Sequence, residues 1–207
     1  MKSLYAFFFF TLLISGNVFA QDEIEMEPEM PETLPYHEIP DAPKDYSAES
    51  VAARMIDGLG YRYFWATEDL RDEDLTYKAS ETNRTTAETI DHVLGLSKTI
   101  LNGVAKRPNV RGGGAKKEEL DFKEKRKRTL ENFKAASDLL RKKDAKVSDM
   151  KIVFQRGENK SEFPFWNMIN GPIADALWHA GQIVGNRRAS GNPLHPGVNV
   201  FMGKTKF

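Results

Sequence analysis

Hydrophobic residues recur with a helical period over most of the chain beyond its first 46 residues. From about Ser47 to Glu68 apolar side chains recur every four residues, and smaller ones widen the stripe. The members of this stripe are Val51, Met55, Leu59, Tyr63, Ala52 and Ile56. A second periodic segment begins at Thr85, which forms a capping-box signature with Glu88, and runs to about Leu101. Both patterns predict amphipathic helices.

Two further helices are predicted, separated by a less regular stretch. The charged segment 117–142 carries one apolar face, formed by Leu120, Leu130, Phe133, Ala136, Leu139 and Leu140. Residues 150–155 alternate loosely between apolar and polar, which predicts a short strand or extended crossover, and a loop follows at 156–161. The last helix should begin between residues 165 and 170 and end near Gly191, with Pro193 as a stop. The sequence therefore predicts an all-α four-helix bundle over residues 47–195.

The N-terminus has the layout of a secretory signal peptide. Lys2 precedes an apolar run from Leu4 to Ile14, and small residues lead to Ala20. The run is shorter than the roughly 20 residues that a spanning helix needs, so we expect cleavage after Ala20; a retained membrane anchor is the alternative. We therefore expect residues 1–20 to be a signal peptide and the protein to be exported, periplasmic or secreted, with no membrane association after cleavage.

The segments that flank the predicted bundle have different compositions. Residues 21–46 are acidic and proline-rich, a composition that predicts a disordered leader, and residues 196–207 form a C-terminal tail. The chain has 30 basic and 30 acidic residues, so its net charge gives no reason to expect a nucleic-acid partner. It has no cysteine, which leaves histidine, carboxylate and amide as its metal ligands.

Candidate chemistry is concentrated on the last helix. Between Phe163 and Asn186 the only charged residue is Asp175, in a chain whose charged fraction is 29%. This composition predicts a helix that is buried on nearly every side. At about 100° per residue, one narrow face, which we call the polar stripe, holds Asp175, His179, Gln182 and Asn186. Its carboxylate and imidazole, four residues apart, can serve one divalent ion. The alternative is an ordinary solvent face or an i,i+4 ion pair.

Of the three remaining histidines, only His92 is a candidate metal ligand on a predicted helix. His37 lies in the leader and His195 follows Pro193, so both are expected to be exposed loop residues. His92 is the other candidate. Its position lies roughly 120° from the centre of its helix's apolar stripe, where the pattern favours a surface histidine.

Three segments resemble helices of the DinB-like (YfiT-like) metal-binding family. They are TTAETIDHVLGLS around His92, GPIADALWHAGQIVGNRRASGNP around His179, and YRYFWATEDL in the first helix. Members are compact four-helix bundles, and many bind zinc or nickel through one histidine of the second helix and two of the last. The resemblance implies a metal site formed by His92, Asp175 and His179, with aspartate where the family has histidine. Aspartate can also ligate iron or manganese, or it can mark a site that has lost its metal.

The resemblance implies a metal-dependent hydrolase or transferase with an unknown small-molecule substrate. We expect Gln182, Asn186 and Arg187 to lie in a second shell or pocket, although arginines at 187 and 188 also suit the end of a helix. No other catalytic residue is assigned. The alternative is a non-catalytic exported binding protein with a degenerate metal site. A homodimer is a further partner to test.

Overall fold

Four long helices dominate the part of the chain that the structure describes. The computed structural model describes residues 33–112 and 118–207; the predicted signal peptide, residues 1–20, lies outside them. The helices are α1 (Ala48–Thr67), α2 (Asp72–Thr76), α3 (Thr86–Val104), α4 (Phe122–Leu140), α5 (Phe165–Met168) and α6 (Ala174–Ala189). The helices predicted at 47–68 and 85–101 are confirmed. The helix expected over 117–142 is shorter, because it starts only after Asp121.

Side-chain caps explain where the first three long helices begin. The Ser47 hydroxyl accepts a hydrogen bond from the Ser50 amide at 3.2 Å, and Asp121 accepts from the Glu124 amide at 2.8 Å. At α3 the capping box is complete. The Glu88 amide donates to Thr85 Oγ1, and the Thr85 amide donates to the Glu88 carboxylate. These bonds satisfy amides that have no partner inside the helix.

The long helices pack against one another around a single core. Both α1 and α3 contact α4, and both also contact α6. Large side chains that are almost fully buried fill the space between them: Ile56, Leu59, Tyr63, Ile90, Ile100, Leu130, Phe133, Leu140 and Ile183. The fold is therefore mostly helical, with a small sheet at one side.

The small sheet replaces part of a predicted loop. Strand β1 (Asn109–Val110) runs parallel to β2 (Lys151–Arg156), which pairs antiparallel with β3 (Asn159–Pro164). The strand expected at 150–155 is confirmed, but the loop expected at 156–161 is wrong, because the chain reverses at Gly157 and pairs again from Asn159. Gly157 has a φ of 61°, which glycine adopts without steric cost.

Helix α1 buries four of the six residues of its predicted apolar stripe: Ala52, Ile56, Leu59 and Tyr63. Val51 and Met55, two members of the predicted apolar stripe, remain 44% and 40% exposed, while Ala52 and Ile56 are buried. The contacts of α1 with both α4 and α6 explain this, since the buried surface follows two neighbours rather than one row of residues.

The leader is packed against the helices from residue 33 onward, where the composition predicted disorder. Tyr36 is buried, and its hydroxyl donates to Asp57 Oδ1 at 3.1 Å. A Cβ at Gly60 would overlap the Tyr36 ring, so this glycine provides the space for it. Arg54 also donates to the Pro40 carbonyl at 2.6 Å. The segment is ordered by α1 rather than by its own composition.

The C-terminal tail forms a second short hairpin. Strand β4 (Val198–Asn199) pairs with β5 (Lys204–Thr205). The Thr205 hydroxyl lies 2.8 Å from the Tyr61 hydroxyl of α1, and the Ile39 amide donates to the Gly203 carbonyl at 2.9 Å. The two terminal segments of the described chain therefore meet on α1. Within the described residues no helix combines the length and hydrophobicity needed to cross a bilayer.

A buried arginine ties the end of α6 to the end of α1. Arg187 is 3% exposed, and its Nη1 donates to the backbone carbonyls of Trp65 and Glu68, each at 2.9 Å. It also donates to the Asn192 carbonyl at 2.7 Å. Burial lowers the pKa of the Arg187 guanidinium from its usual value. These carbonyls lie at the end of α1, where helical partners run out.

A buried carboxylate completes this junction. The side chain of Asp74 accepts hydrogen bonds from Arg71, and it also accepts from Ser190 and Asn192, which follow α6. These bonds, with Arg71 contributing most, hold the pKa of Asp74 well below its usual range. The short helix α2, which the sequence did not predict, thus supplies an anion to the same junction as Arg187.

We predict that Arg187→Ala lowers the free energy of unfolding by about 3 kcal/mol, because it leaves buried carbonyls unpaired. Arg187→Lys should recover little of this loss, since one ammonium cannot span the same acceptors. Urea denaturation measures the difference. The matched control is Arg188→Ala at the exposed neighbouring position, expected within about 0.5 kcal/mol of the parent. Equal stability of the Arg187 and Arg188 variants would contradict this role.

Candidate metal centre

The polar stripe of α6 faces α3. Asn186 donates from its side-chain amide to the Thr86 hydroxyl at 3.2 Å, at the first turn of α3. Two turns further along α3, His92 meets Asp175, in the first turn of α6. Both helices thus bring their candidate ligands to one seam.

Asp175 lies between two imidazoles. Its Oδ2 is 3.2 Å from His92 Nε2, and its Oδ1 is 3.2 Å from His179 Nε2. The imidazole rings of His92 and His179 are perpendicular, with their centroids 4.7 Å apart. The structure therefore brings together the three residues that the family resemblance implied.

Gln182 determines which nitrogen of His179 carries a proton. Its side-chain oxygen lies 2.7 Å from His179 Nδ1. An amide oxygen only accepts hydrogen bonds, so Nδ1 is the donor, and in the neutral ring the lone pair is on Nε2. That lone pair faces the Asp175 carboxylate. Two acceptors this close repel unless a proton or a cation lies between them.

The separations of the donor atoms suit a small divalent ion. Donors about 2.0–2.2 Å from a tetrahedral zinc ion lie roughly 3.3–3.5 Å from each other. One donor atom from each of the three residues lies within 4.8 Å of the other two. All three donor atoms are thus close enough to share one ion. The group can therefore hold a metal ion, and metal and proton would compete for the same nitrogens.

The backbone before Asp175 is irregular. A π-helical segment at Ile169–Ile173 joins α5 to α6, and inside it Gly171 has non-helical φ and ψ of −92° and −107°. Pro172 has no amide hydrogen, and its ring crowds the preceding turn, which disfavours a regular helix here. Single π turns often occur at functional sites. The chain regains α geometry at Ala174, one residue before the candidate ligand.

The three candidate ligands differ in their access to solvent. His179 exposes 11% of its side chain, whereas His92 and Asp175 expose 34% and 38%. His92 is thus neither a core residue nor the surface histidine that its position on the helical wheel favoured. The site lies at an open edge of the helices, so a ligand can approach from the side of His92 and Asp175.

The remaining residues expected near the site have separate roles. Gln182 contacts His179, and Asn186 ties α6 to α3 one turn further along. Arg187 does not join them, because its guanidinium is directed at α1. His37 and His195 are exposed, as expected, and lie with Trp65 and Phe207 in an aromatic cluster away from the three ligands.

The outward faces of α6 and α5 are apolar and exposed. Trp178 is 72% exposed and Leu177 is 44% exposed, while Trp166 of α5 is 74% exposed. The scarcity of charge on α6 predicted a helix buried on nearly every side, and that prediction is wrong. The charge is missing because one face of α6 meets the core, another holds the polar stripe, and the third is an apolar surface.

A cavity of about 610 Å³ opens beside the polar stripe. One wall is α6, which contributes His179, Gln182 and Asn186, and α3 adds Thr89. The opposite wall is the connection between α2 and α3, from which Tyr77 and Arg84 contribute. This wall was not predicted from the sequence, although polar residues such as Thr82 and Asn83 precede the capping box directly.

Fold and site together define a mostly helical protein with a group of two histidines and one carboxylate that can hold a metal ion. No family model matches the chain, and no curated protein and no solved structure matches it. The resemblance to DinB-like proteins therefore stays a prediction made from the sequence.

We predict that untagged protein purified without chelators carries about one divalent metal ion per chain, since two imidazoles and a carboxylate form a three-donor site. His92→Ala and His179→Ala should each lose it, because two remaining donors hold an ion weakly. Elemental analysis measures the content. His195→Ala, which removes an exposed histidine elsewhere, is the control and should match the parent. Equal trace metal in all four proteins would contradict the site.

We also predict that Gln182→Ala weakens metal affinity by about tenfold to a hundredfold, because the His179 ring loses its orienting partner. Competition with a chromogenic chelator gives the dissociation constant. Asn186→Ala removes an amide from the same stripe without touching an imidazole, so its affinity should equal that of the parent. The role of Gln182 is excluded if the two variants bind metal equally well.

Proposed function

We propose that this chain is an exported DinB-like four-helix bundle that uses a divalent metal ion to hydrolyse a small-molecule substrate. The packing of α1 and α3 against both α4 and α6 supports the bundle. The observation that carries the proposal is the Asp175 carboxylate, with each oxygen 3.2 Å from an imidazole Nε2.

The donor set favours particular metals. Two imidazoles and one carboxylate, with no sulfur, suit zinc in a catalytic site that keeps a position open, and the same set serves non-haem iron. Nickel and manganese are further candidates, nickel from the family resemblance. A bound divalent ion supplies Lewis acidity and lowers the pKa of a coordinated ligand toward neutrality.

The side chains around the ion have defined tasks in this proposal. Asp175, with one oxygen near each imidazole Nε2, would complete the ligand set, and Gln182 would keep the Nε2 lone pair of His179 available for the ion. The cavity next to His179 receives the substrate. The open edge at His92 and Asp175 admits water, which is the co-substrate of hydrolysis.

Hydrolysis is preferred over thiol transfer because of the proposed export. Small cytosolic thiols are scarce outside the inner membrane, whereas water is the solvent everywhere. The signal-peptide pattern of residues 1–20 supports export to the periplasm or the medium.

One observation favours a second candidate function, a non-catalytic binding or interaction protein. Trp166, Trp178 and Leu177 remain exposed, and surfaces that bind other proteins are enriched in exposed aromatic side chains. In this reading the metal site is degenerate or structural, and a second copy of the chain is one partner to test.

The discriminating experiment screens the protein, loaded in turn with zinc, nickel, iron(II) and manganese, against panels of esters, amides and phosphoesters. We expect turnover with at least one metal, reduced about a hundredfold or more in Asp175→Ala and His179→Ala, because the ion and its orientation are lost. His195→Ala should keep the parent rate. Bound metal without turnover on any panel would favour the binding protein instead.

A further inference from the structure

The cavity beside His179 has an unusual charge composition. Among the described residues that line it there is one charged side chain, Arg84, and no carboxylate. The whole chain has as many acidic as basic residues, so a lining without Asp or Glu differs from the average composition. This difference favours an anionic ligand over a cationic one. A lone cation at the wall of a polar cavity attracts anions.

Nearby carboxylates are already engaged elsewhere. Glu81 accepts a salt bridge from Lys78 at 2.7 Å, and Glu88 accepts from the Thr85 amide at 2.8 Å as part of the capping box. Arg84 has no hydrogen-bond or ion-pair partner within residues 33–112 and 118–207. Its exposed guanidinium is therefore free to pair with an anion that enters the cavity.

The other polar groups of the lining suit a ligand rich in oxygen. Hydroxyl and amide side chains line both walls: Tyr77, Thr82, Asn83, Gln182 and Asn186. The contacts of Asn83, Gln182 and Asn186 with Ser80, His179 and Thr86 each use only one of the two polar atoms of the amide, so the other can bind a ligand. The volume of about 610 Å³ lies in the range of roughly 300–1,000 Å³ that small-molecule sites occupy.

We propose that this cavity binds a small organic oxyanion, a carboxylate or a phosphate ester, whose charged group pairs with Arg84. Arginine recognises both groups through paired N–H donors. The proposal rests on the proposed function for its metal, because a divalent ion held by one carboxylate leaves a net positive site at His179. The ligand would lie between Arg84 and His179, both of which line the cavity.

Calorimetry on zinc-loaded protein tests the proposal with matched probes. Phenyl phosphate and succinate carry the charged groups, and phenol and succinamide have related shapes without charge. We expect the charged probes to bind and the neutral ones not to bind. Whichever charged probe binds more tightly identifies the preferred group.

Substitution of Arg84 provides a second test of the proposal. Arg84→Gln should weaken binding of the charged probes about tenfold, because a charge-assisted pair is lost, and Arg84→Lys should weaken it less. The control is Arg107→Gln, an exposed arginine that does not line the cavity, which should leave affinity unchanged. Metal content should be the same in all four proteins. Affinity that is equal in the parent and Arg84→Gln would overturn the proposal.

The failure of this proposal is distinguishable from failure of the proposed function. If zinc does not bind, the proposed metal-dependent function is contradicted. The probes are then titrated into the metal-free parent and metal-free Arg84→Gln proteins. Binding that Arg84→Gln weakens would retain the anion site without a metal. Absence of binding to the parent in that titration would overturn the anion site as well.

Discussion

The orientation of α6 depends on the buried guanidinium of Arg187. Its bonds to the last carbonyls of α1 fix the rotation of α6 about its own axis. Positions 175 and 179 lie about 80–120° around the helix from position 187, so they face α3 when Arg187 faces α1. A helix turned by one residue would direct Asp175 away from His92. The candidate metal centre thus depends on the hydrogen bonds of Arg187, which lies about 12 residues, or roughly 18 Å, beyond Asp175 along α6.

Local signals predicted much of the fold. The Thr85–Glu88 box placed one helix start correctly, because a capping box is a short-range pair of hydrogen bonds that the sequence alone specifies. The partner of β2 was taken for a loop because β3 begins with four polar residues and shows no apolar alternation. Residues 33–46 were predicted to be disordered because composition describes what a segment can bury by itself, and Tyr36 is buried by α1.

The candidate site was predicted in part, and the missing part has a geometric cause. Asp175 and His179 followed from spacing within one helix, whereas His92 was placed against its helical wheel by family resemblance. A wheel assumes one buried face, but α3 packs against both α4 and α6, and His92 lies on the side toward α6. Arg84 had no signal in the sequence, since its importance comes from the absence of carboxylates around a cavity that only the folded chain forms.

The meeting of the two terminal segments on α1 has a mechanical consequence. Tyr36 is anchored to Asp57, Thr205 contacts Tyr61, and the rings of His37 and Phe207 stack with centroids 5.5 Å apart. A force that pulls the two ends of the described chain apart therefore acts first on these contacts and not on the helices. The ends form a clasp on α1 close to the end of that helix that Arg187 contacts, so proteolysis or a fusion partner at either end would disturb the same contacts first.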